Sequence, residues 1–332
     1  MNNSTADEQY MRRAISLARC GVGLTYPNPM VGAVVVYQGK IIGEGYHIKA
    51  GTGHAEVNAI KSVTNKALLT NSTIYVSLEP CSHYGKTPPC SKLIIDMGIP
   101  RVVIGCVDSF SAVSGRGIKM LQDAGISVTV GVLESECREL NKRFFTFHEK
   151  HRPYIILKWA QSVDGFIDSA RLASEPAPWL SNDACRILVH RQRAQEQAIL
   201  VGAETIRRDN PSLTTRYFAG ADPMRIVLSG TKGISSSSTI CTDGKPLKFI
   251  DGRPCAADVV EQLYQMGIQS VIVEGGRTTL QMFIDSGLWD EANIYCGNAY
   301  LGSGVLAPTI SMSGATLTNI EGVRLYSIRH LV

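Results

Sequence analysis

Long apolar runs are missing from this sequence, and no apolar segment follows its first residues. A membrane-spanning helix needs about 20 predominantly apolar residues, and a secretory signal needs an apolar core. The opening stretch, MNNSTADEQYMRRA, is largely polar. The sequence therefore predicts a chain that is neither exported nor anchored, with a cytoplasmic location.

Dense clusters of basic residues are absent as well. The chain has 33 lysines and arginines against 29 acidic residues, which gives a formal net charge of +4 over 332 residues. Proteins that bind nucleic acids or anionic membranes concentrate lysine and arginine on one face. We therefore expect neither nucleic acid nor membrane as a partner, although a few basic residues could hold the phosphate of a small molecule.

A disulfide framework is also excluded. The nine cysteines are an odd number, scattered along a chain without a secretory signal. Most of them are expected to be small buried side chains. Cys81 and Cys90 are the exceptions, because they share the short stretch EPCSHYGKTPPC with a histidine and three prolines.

The chain is long enough for two domains, since one hydrophobic core rarely organises 332 residues. Apolar spacing and turn residues predict alternating helices and strands in both halves, which favours an α/β fold with mixed sheets covered by helices. A single helix is predicted over residues 137–148 and a polar loop over 230–251. The pattern restarts with a strand at Tyr154, so we predict domains 1–149 and 150–332.

One group of metal-binding residue types lies in the first half. His54 opens a helix two residues before Glu56, and Cys81 and Cys90 follow a buried strand. A catalytic zinc takes three such ligands and leaves its fourth position to water, and Glu56 would act as general acid and base. The order H-x-E and then P-C is typical of zinc deaminases, although eight residues separate the cysteines here, against two in that signature.

The dinucleotide-binding pattern G-x-G-x-x-G is absent from the second half. Residues 271–278, VIVEGGRT, instead predict a buried strand that passes through two glycines into a helix. Backbone N–H groups at the start of a helix can bind an anion, but the same pattern is typical of an ordinary tight turn. An unusual cofactor site is therefore one of two interpretations of this segment.

The first half resembles the deaminase half of the bifunctional riboflavin-biosynthesis deaminase/reductase family. The resemblance lies in TYPNPMVG (25–32), GEGYH (43–47), HAEV (54–57) and LEPCSHYGKTPPC (78–90). It implies a cytidine-deaminase-like three-layer α/β/α domain with zinc bound by His54, Cys81 and Cys90 and with Glu56 as the catalytic residue. The substrate contacts that it implies are Asn28, His47, Lys86 and Arg116. DSFS (108–111) departs from the family's DPNP, which puts the shape of that loop in doubt.

The second half resembles the reductase half of the same family, which has a dihydrofolate-reductase-like α/β fold and uses NADPH. The resemblance lies in LKWAQSVDG (157–165), RAQ (193–195), AILVG (198–202), DNPSLTTR (209–216) and EGG (274–276). The cofactor contacts that it implies are Ala160, Trp179, Thr205, Asp209, Gly276, Arg277 and Thr278. The substrate contacts are Lys158, Arg193, Leu213, Arg216 and Glu274, with the two arginines suited to clamp a phosphate. Departures at Ala177, Arg208, Asn210 and Gly230 predict altered affinity for the cofactor or the substrate.

Together the resemblances imply a two-step enzyme. Zinc-dependent hydrolytic deamination of 2,5-diamino-6-(5-phosphoribosylamino)pyrimidin-4-one would precede NADPH-dependent reduction of the ribosyl group, which gives 5-amino-6-(5-phosphoribitylamino)uracil. A homo-oligomer through the reductase half is also implied. One alternative is a deaminase of another base, nucleoside or tRNA whose second domain only binds. The other is a non-enzymatic binding protein stapled by zinc, in which His83 is a fourth ligand.

Glu79, which precedes Pro80 and Cys81, has two interpretations at this point. It is either a solvated carboxylate in the loop or a support for the metal-binding residues. The sequence favours neither.

Overall fold

The computed structural model describes residues 3–83, 88–109, 114–172 and 175–330. The chain divides into two compact units, Met1–His151 and Arg152–Val332. Lys86 lies outside the described residues, and so do Phe110 and Ser111 of the DSFS segment. Across the described ranges, no helix combines the length and the apolar character needed to cross a membrane.

A five-stranded sheet organises the first unit. Its strands are β1 (Gly32–Tyr37), β2 (Lys40–Tyr46), β3 (Thr73–Leu78), β4 (Arg101–Cys106) and β5 (Ser127–Val130). They lie in the order β2-β1-β3-β4-β5. The strand β1 is antiparallel to both of its neighbours, whereas β3, β4 and β5 are parallel to one another.

Helices cover both faces of this sheet. They are α1 (Asn3–Ala18), α2 (Ala55–Ser62), α3 (Cys90–Asp96), α4 (Arg116–Asp123), α5 (Glu134–Leu140) and α6 (Lys142–Lys150), with short 3-10 helices at Arg19–Gly21 and Lys66–Asn71. Successive side chains of a strand point to opposite faces. Accordingly, Val34 and Val36 pack with α1, α5 and α6, while Ala33 and Val35 pack with α2, α3 and α4. The predicted three-layer α/β/α arrangement is confirmed.

The single helix predicted over residues 137–148 is wrong, because two helices meet at Asn141. The side chain of Asn141 donates to the Met30 carbonyl and accepts from the Met30 N–H, both at 2.8 Å. Hydrogen bonds from an asparagine side chain to the backbone compete in this way with the hydrogen bonds of a helix. The apolar spacing continues across the break, so it gave no sign of the second helix.

A larger sheet organises the second unit. The strands are β6 (Tyr154–Gln161), β7 (Phe166–Ser169), β8 (Ala198–Gly202), β9 (Met224–Gly230), β10 (Leu247–Asp251), β11 (Ser270–Glu274), β12 (Glu291–Cys296), β13 (Gly304–Leu306), β14 (Thr316–Ile320) and β15 (Val323–Arg329). Eight of them form the sheet β10-β9-β8-β11-β6-β12-β15-β14, and β7 pairs with β13. The first six strands of the sheet are parallel, and β15 and β14 continue it in antiparallel pairs.

Helices also lie on both faces of this second sheet. They are α7 (Asp183–Gln195), α8 (Ala203–Asp209), α9 (Thr239–Thr242), α10 (Ala256–Gln265) and α11 (Arg277–Ser286). Side chains of α10 and α11 share one core with β6, β8 and β11, and α8 packs in a separate core on the other side. This mixed α/β unit confirms the predicted fold class.

The polar loop predicted over residues 230–251 is also wrong, since it contains α9 and the edge strand β10. Ile240 and Ile250 are its buried apolar side chains, each 1% exposed. They are too isolated among serines, threonines and lysines to produce an apolar period. The elements β7, α8 and β13 to β15 lie where no element was predicted.

Candidate active sites

His54, Cys81 and Cys90 come together in the first unit. His54 immediately precedes α2, Cys81 follows β3, and Cys90 begins α3. The Nδ1 atom of His54 lies 3.6 Å from the Cys81 sulfur and 3.4 Å from the Cys90 sulfur. Of the residues that the structure describes, these three form a cluster able to hold a metal ion. His83 is exposed and is not a member of that cluster.

The spacing of these atoms fits zinc. A tetrahedral zinc has bonds of about 2.3 Å to sulfur and about 2.0 Å to nitrogen, so a sulfur ligand and a nitrogen ligand lie about 3.5 Å apart. A hydrogen bond from the Cys90 side chain is the main reason why the pKa of Cys81 is lowered. The backbone N–H of Cys90 also donates to the Cys81 sulfur, at 3.3 Å. The thiolate form, which binds metals, is therefore favoured at Cys81.

Glu56 lies in the first turn of α2 and is buried. Burial raises its pKa to about 7, and the charge of Cys81 acts in the same direction. Its carboxyl group is within hydrogen-bonding reach of Cys90. A carboxyl group with a pKa near 7 can both accept and return a proton at neutral pH.

Asn28 and His47 meet beside the cluster. The His47 ring lies edge-on to the ring of His54, with 5.4 Å between their centroids. Its Nδ1 is 3.2 Å from the Gly53 carbonyl, which can only accept, so Nδ1 carries the proton. The other ring nitrogen then accepts from the Asn28 amide at 3.2 Å. Burial lowers the pKa of His47, which keeps the ring neutral in this role.

Arg116 and Glu79 lie on facing segments of the same unit. Arg116 is exposed and is the first residue of α4. Glu79 is buried, so the interpretation as a solvated loop carboxylate is wrong. Its carboxylate accepts hydrogen bonds from the backbone N–H groups at the start of α4.

A cavity of about 470 Å³ in the second unit collects most of the reductase residues. All seven residues predicted to contact the cofactor line it: Ala160, Trp179, Thr205, Asp209, Gly276, Arg277 and Thr278. Lys158, Arg193, Leu213 and Glu274 line it as well. Arg216 instead lines an adjoining pocket that shares Lys158, Trp179 and Arg193 with the cavity.

The two glycines between β11 and α11 shape one wall of this cavity. Gly275 and Gly276 have φ angles of 74° and 69°, a region that side chains disfavour. A Cβ atom on Gly275 would lie 2.8 Å from the Thr205 hydroxyl. The turn therefore packs against α8 and leaves its backbone open to the cavity.

A cluster of buried charged side chains lies between the cavity and the pocket. Arg193 donates to Glu274 at 2.9 Å, and the Lys158 ammonium lies 3.9 Å from the other oxygen of Glu274. Within the described chain, that oxygen and the Nε of Arg193 have no hydrogen-bond partner. Buried polar atoms are normally paired, so these two atoms fit a bound polar ligand.

Sequence reasoning missed two residues of α7 that complete the pocket. The Arg186 guanidinium lies over the Trp179 ring at 4.1 Å and over the Tyr217 ring at 5.1 Å. His190 accepts a hydrogen bond from the backbone N–H of Arg216 at 2.9 Å. Residues 186, 190 and 193 recur at helical spacing, so this shared polar face was a signal in the sequence.

Arg171 was missed for a different reason. It is buried and donates to Asp168 at 2.8 Å, to the Glu175 carbonyl at 2.7 Å and to Asp209. Asp209 is 38 positions away in the sequence. No local pattern could have predicted this contact, which fixes one predicted cofactor residue.

The four departures from the family pattern have different places. Ala177 and Arg208 line the cavity, and Arg208 donates to the Arg171 carbonyl at 2.9 Å. Asn210 ends α8 in the left-handed region with a φ of 40°, and its side chain accepts from the Thr239 N–H at 2.8 Å. Gly230 ends β9 and is not among the described residues that line the cavity.

Comparison with known proteins agrees with both sites. Residues 4–106 match the cytidine and deoxycytidylate deaminase zinc-binding region, and residues 153–329 match the RibD C-terminal domain. The riboflavin biosynthesis protein RibD of Aquifex aeolicus is 38% identical over 90% of this chain and 89% of its own. That of Bacillus amyloliquefaciens is 39% identical over 96% of this chain and 91% of its own.

A solved structure gives the same result. The crystal structure of a diaminohydroxyphosphoribosylaminopyrimidine deaminase/5-amino-6-(5-phosphoribosylamino)uracil reductase from Thermotoga maritima is 35% identical. It covers 99% of this chain and 100% of its own, with a TM-score of 0.87.

A zinc deaminase domain followed by a reductase domain defines a bifunctional enzyme, at once a hydrolase and an oxidoreductase. Its cofactors are zinc and NADPH, and its substrate is a small molecule. The chain belongs to the RibD family of riboflavin biosynthesis proteins.

Proposed function

We propose that the two activities are divided between residues 1–149 and 150–332. The first domain would deaminate 2,5-diamino-6-(5-phosphoribosylamino)pyrimidin-4-one, and the second would reduce the ribosyl group of the product to ribityl. The observation that carries this proposal is the geometry of His54, Cys81 and Cys90 beside the buried Glu56. The double activity in the name of the Thermotoga maritima protein supports it.

In the deaminase site, His54, Cys81 and Cys90 would hold the metal. Zinc, when bound, supplies an activated water for attack on the ring carbon that bears the amine. Glu56 takes a proton from the attacking water and passes it to the amine, which leaves as ammonia. Its pKa of about 7 suits it to both transfers.

Substrate binding in this site would depend on Asn28, His47, Lys86 and Arg116. The neutral His47 ring accepts from the Asn28 amide, which fixes the orientation of that amide. An oriented amide can read the donor and acceptor pattern of a pyrimidine edge. The two cationic residues would bind the substrate or its phosphate.

In the reductase site, conversion of ribosyl to ribityl adds a hydride to the first sugar carbon and a proton to the ring oxygen that is released. NADPH, when bound, supplies the hydride. Lys158 would give the proton, and the position of its ammonium beside the buried Glu274 supports this role. The Glu274 oxygen and the Arg193 Nε that lack a hydrogen-bond partner within the described chain would bind sugar hydroxyls, and Arg193 and Arg216 would hold the phosphate.

Metal removal tests the assignment of deamination to the first domain and of reduction to the second. We expect about one zinc ion per purified chain, coordinated by three protein ligands and one water. A chelator should abolish ammonia release from the diaminopyrimidine, while NADPH oxidation with the deaminated product stays unchanged. Added zinc should restore deamination. Full deamination by a metal-free chain, or equal loss of both reactions, would contradict the proposal, and activity on free nucleosides would favour the alternative deaminase.

We also propose a homo-oligomer that assembles through the second domain in the cytoplasm. The proposal is supported by β14, which is an edge strand of the sheet and carries the exposed Leu317. Edge strands and exposed apolar side chains are common sites of association. A molar mass of a single chain in light scattering would refute the oligomer, and recovery of the protein in a membrane fraction would refute the location.

A further inference from the structure

Glu79 is a buried carboxylate surrounded by backbone donors. It is 4% exposed, and one of its oxygens accepts from the N–H groups of Gly117 at 2.9 Å and Ile118 at 3.3 Å. The other oxygen accepts from Gly115 at 3.0 Å and from Asp108 at 3.3 Å. A buried carboxylate is stable only with such compensation. The four bonds therefore tie Glu79 to the start of α4 and to the segment that follows β4.

Three of these donors belong to the beginning of α4. Gly115 caps this helix, and Gly117 and Ile118 lie in its first turn. The first N–H groups of a helix have no partner within the helix, and a negative charge near them is favourable. Gly115, the N-cap residue of α4, has no side chain that could cap the helix. The carboxylate of Glu79, from a distant part of the chain, caps it instead.

A close approach of two backbones adds to this attachment. A Cβ atom on Gly117 would lie 2.0 Å from the Pro80 carbonyl oxygen, a distance that no side chain tolerates. Pro80 directly precedes the metal ligand Cys81, and Gly117 directly follows Arg116. The start of α4 therefore packs directly against the segment that contains Cys81.

We propose that Glu79 is a positioning residue of the deaminase: it holds Arg116 in place for the substrate beside the Cys81 segment. This inference rests on the proposed role of Arg116 as a substrate contact. Glu79 touches neither the substrate nor the metal in this account. It acts through the backbone of α4, so its removal affects substrate binding more than the chemical step or the zinc.

The variant Glu79→Gln tests the inference, because glutamine has the same shape but presents an NH₂ group to backbone donors. We expect KM for deamination to rise about tenfold, the effect of losing one charge-assisted hydrogen bond. Zinc content, kcat at saturation and NADPH-dependent reduction should stay within about twofold of the parent chain. Gly117→Ala should raise KM similarly, because it separates the same two segments while keeping Glu79.

Two further variants distinguish failure of the positioning inference from failure of the proposed role of Arg116. Asp123→Asn changes an exposed carboxylate at the other end of α4 and should leave KM unchanged. Arg116→Gln should raise KM at least as much as Glu79→Gln. If Arg116→Gln leaves KM unchanged, the proposed role of Arg116 fails and the inference fails with it. If only Arg116→Gln raises KM, or if Glu79→Gln loses zinc and kcat together, the positioning inference alone is refuted.

Discussion

The variant Glu56→Gln is expected to deaminate about a thousandfold more slowly than the parent chain, which is within the usual range for loss of a general acid and base. Glutamine keeps the size of the side chain and its place in the first turn of α2, but it cannot accept and return a proton. Burial and the raised pKa of Glu56 support its proposed role as the group that carries this proton. The measurement is the kcat for ammonia release.

The same variant should keep its zinc, because His54, Cys81 and Cys90 are unchanged. It should also keep NADPH-dependent reduction of the deaminated product, which the proposed division assigns to the other domain. Glu134→Gln, which alters an exposed carboxylate of the same unit, is the matched control and should retain both reactions. A glutamine variant at position 56 with the kcat of the parent chain, or a loss that follows the zinc content, would remove Glu56 from the mechanism.

The variant Lys158→Met is expected to lower the kcat of the reductase about a hundredfold or more, since it removes the proposed proton donor. Methionine preserves the length and the packing of the lysine stem. The buried Glu274 would also lose one of its two cationic neighbours. Lys248→Met, at an exposed position of β10, is the matched control and should have no effect.

The pH dependence of reduction provides a second test of Lys158. Burial holds its pKa below the ordinary value of 10.5, although Glu274 opposes the shift. The lysine donates a proton only in its charged form, so kcat/KM should fall as the pH rises through this lowered pKa. Lys158→Arg should remove that alkaline limb and also lower the activity, because arginine stays charged and does not readily give up its proton. An alkaline limb that persists in the arginine variant would assign it to another group.

The zinc cluster was predictable because its members are marked by local motifs. His54 and Glu56 lie two positions apart, and Cys81 and Cys90 lie in one short stretch after β3. All five strands of the first sheet and the strands β6, β8, β9, β11 and β12 of the second were predictable for a similar reason, since they are short apolar runs between turn residues. Local chemistry and local periodicity were enough in these cases.

Features that depend on distant partners were not predictable. The break at Asn141 depends on Met30, which is 111 positions away, and the capping of α4 by Glu79 joins segments 38 positions apart. Arg171 likewise needs Asp209 to explain its burial. In each case a polar side chain meets a partner that only the folded chain brings near.

Trp179 is part of the wall of both the 470 Å³ cavity and the neighbouring pocket, with the Arg186 guanidinium over its ring. It is 57% exposed, whereas the other two tryptophans of the chain, Trp159 and Trp289, are 3% and 6% exposed. An indole in this position senses changes in its solvent shell on either side. The second unit therefore contains an intrinsic fluorescent reporter, through which binding of a ligand beside this wall can be followed without a label.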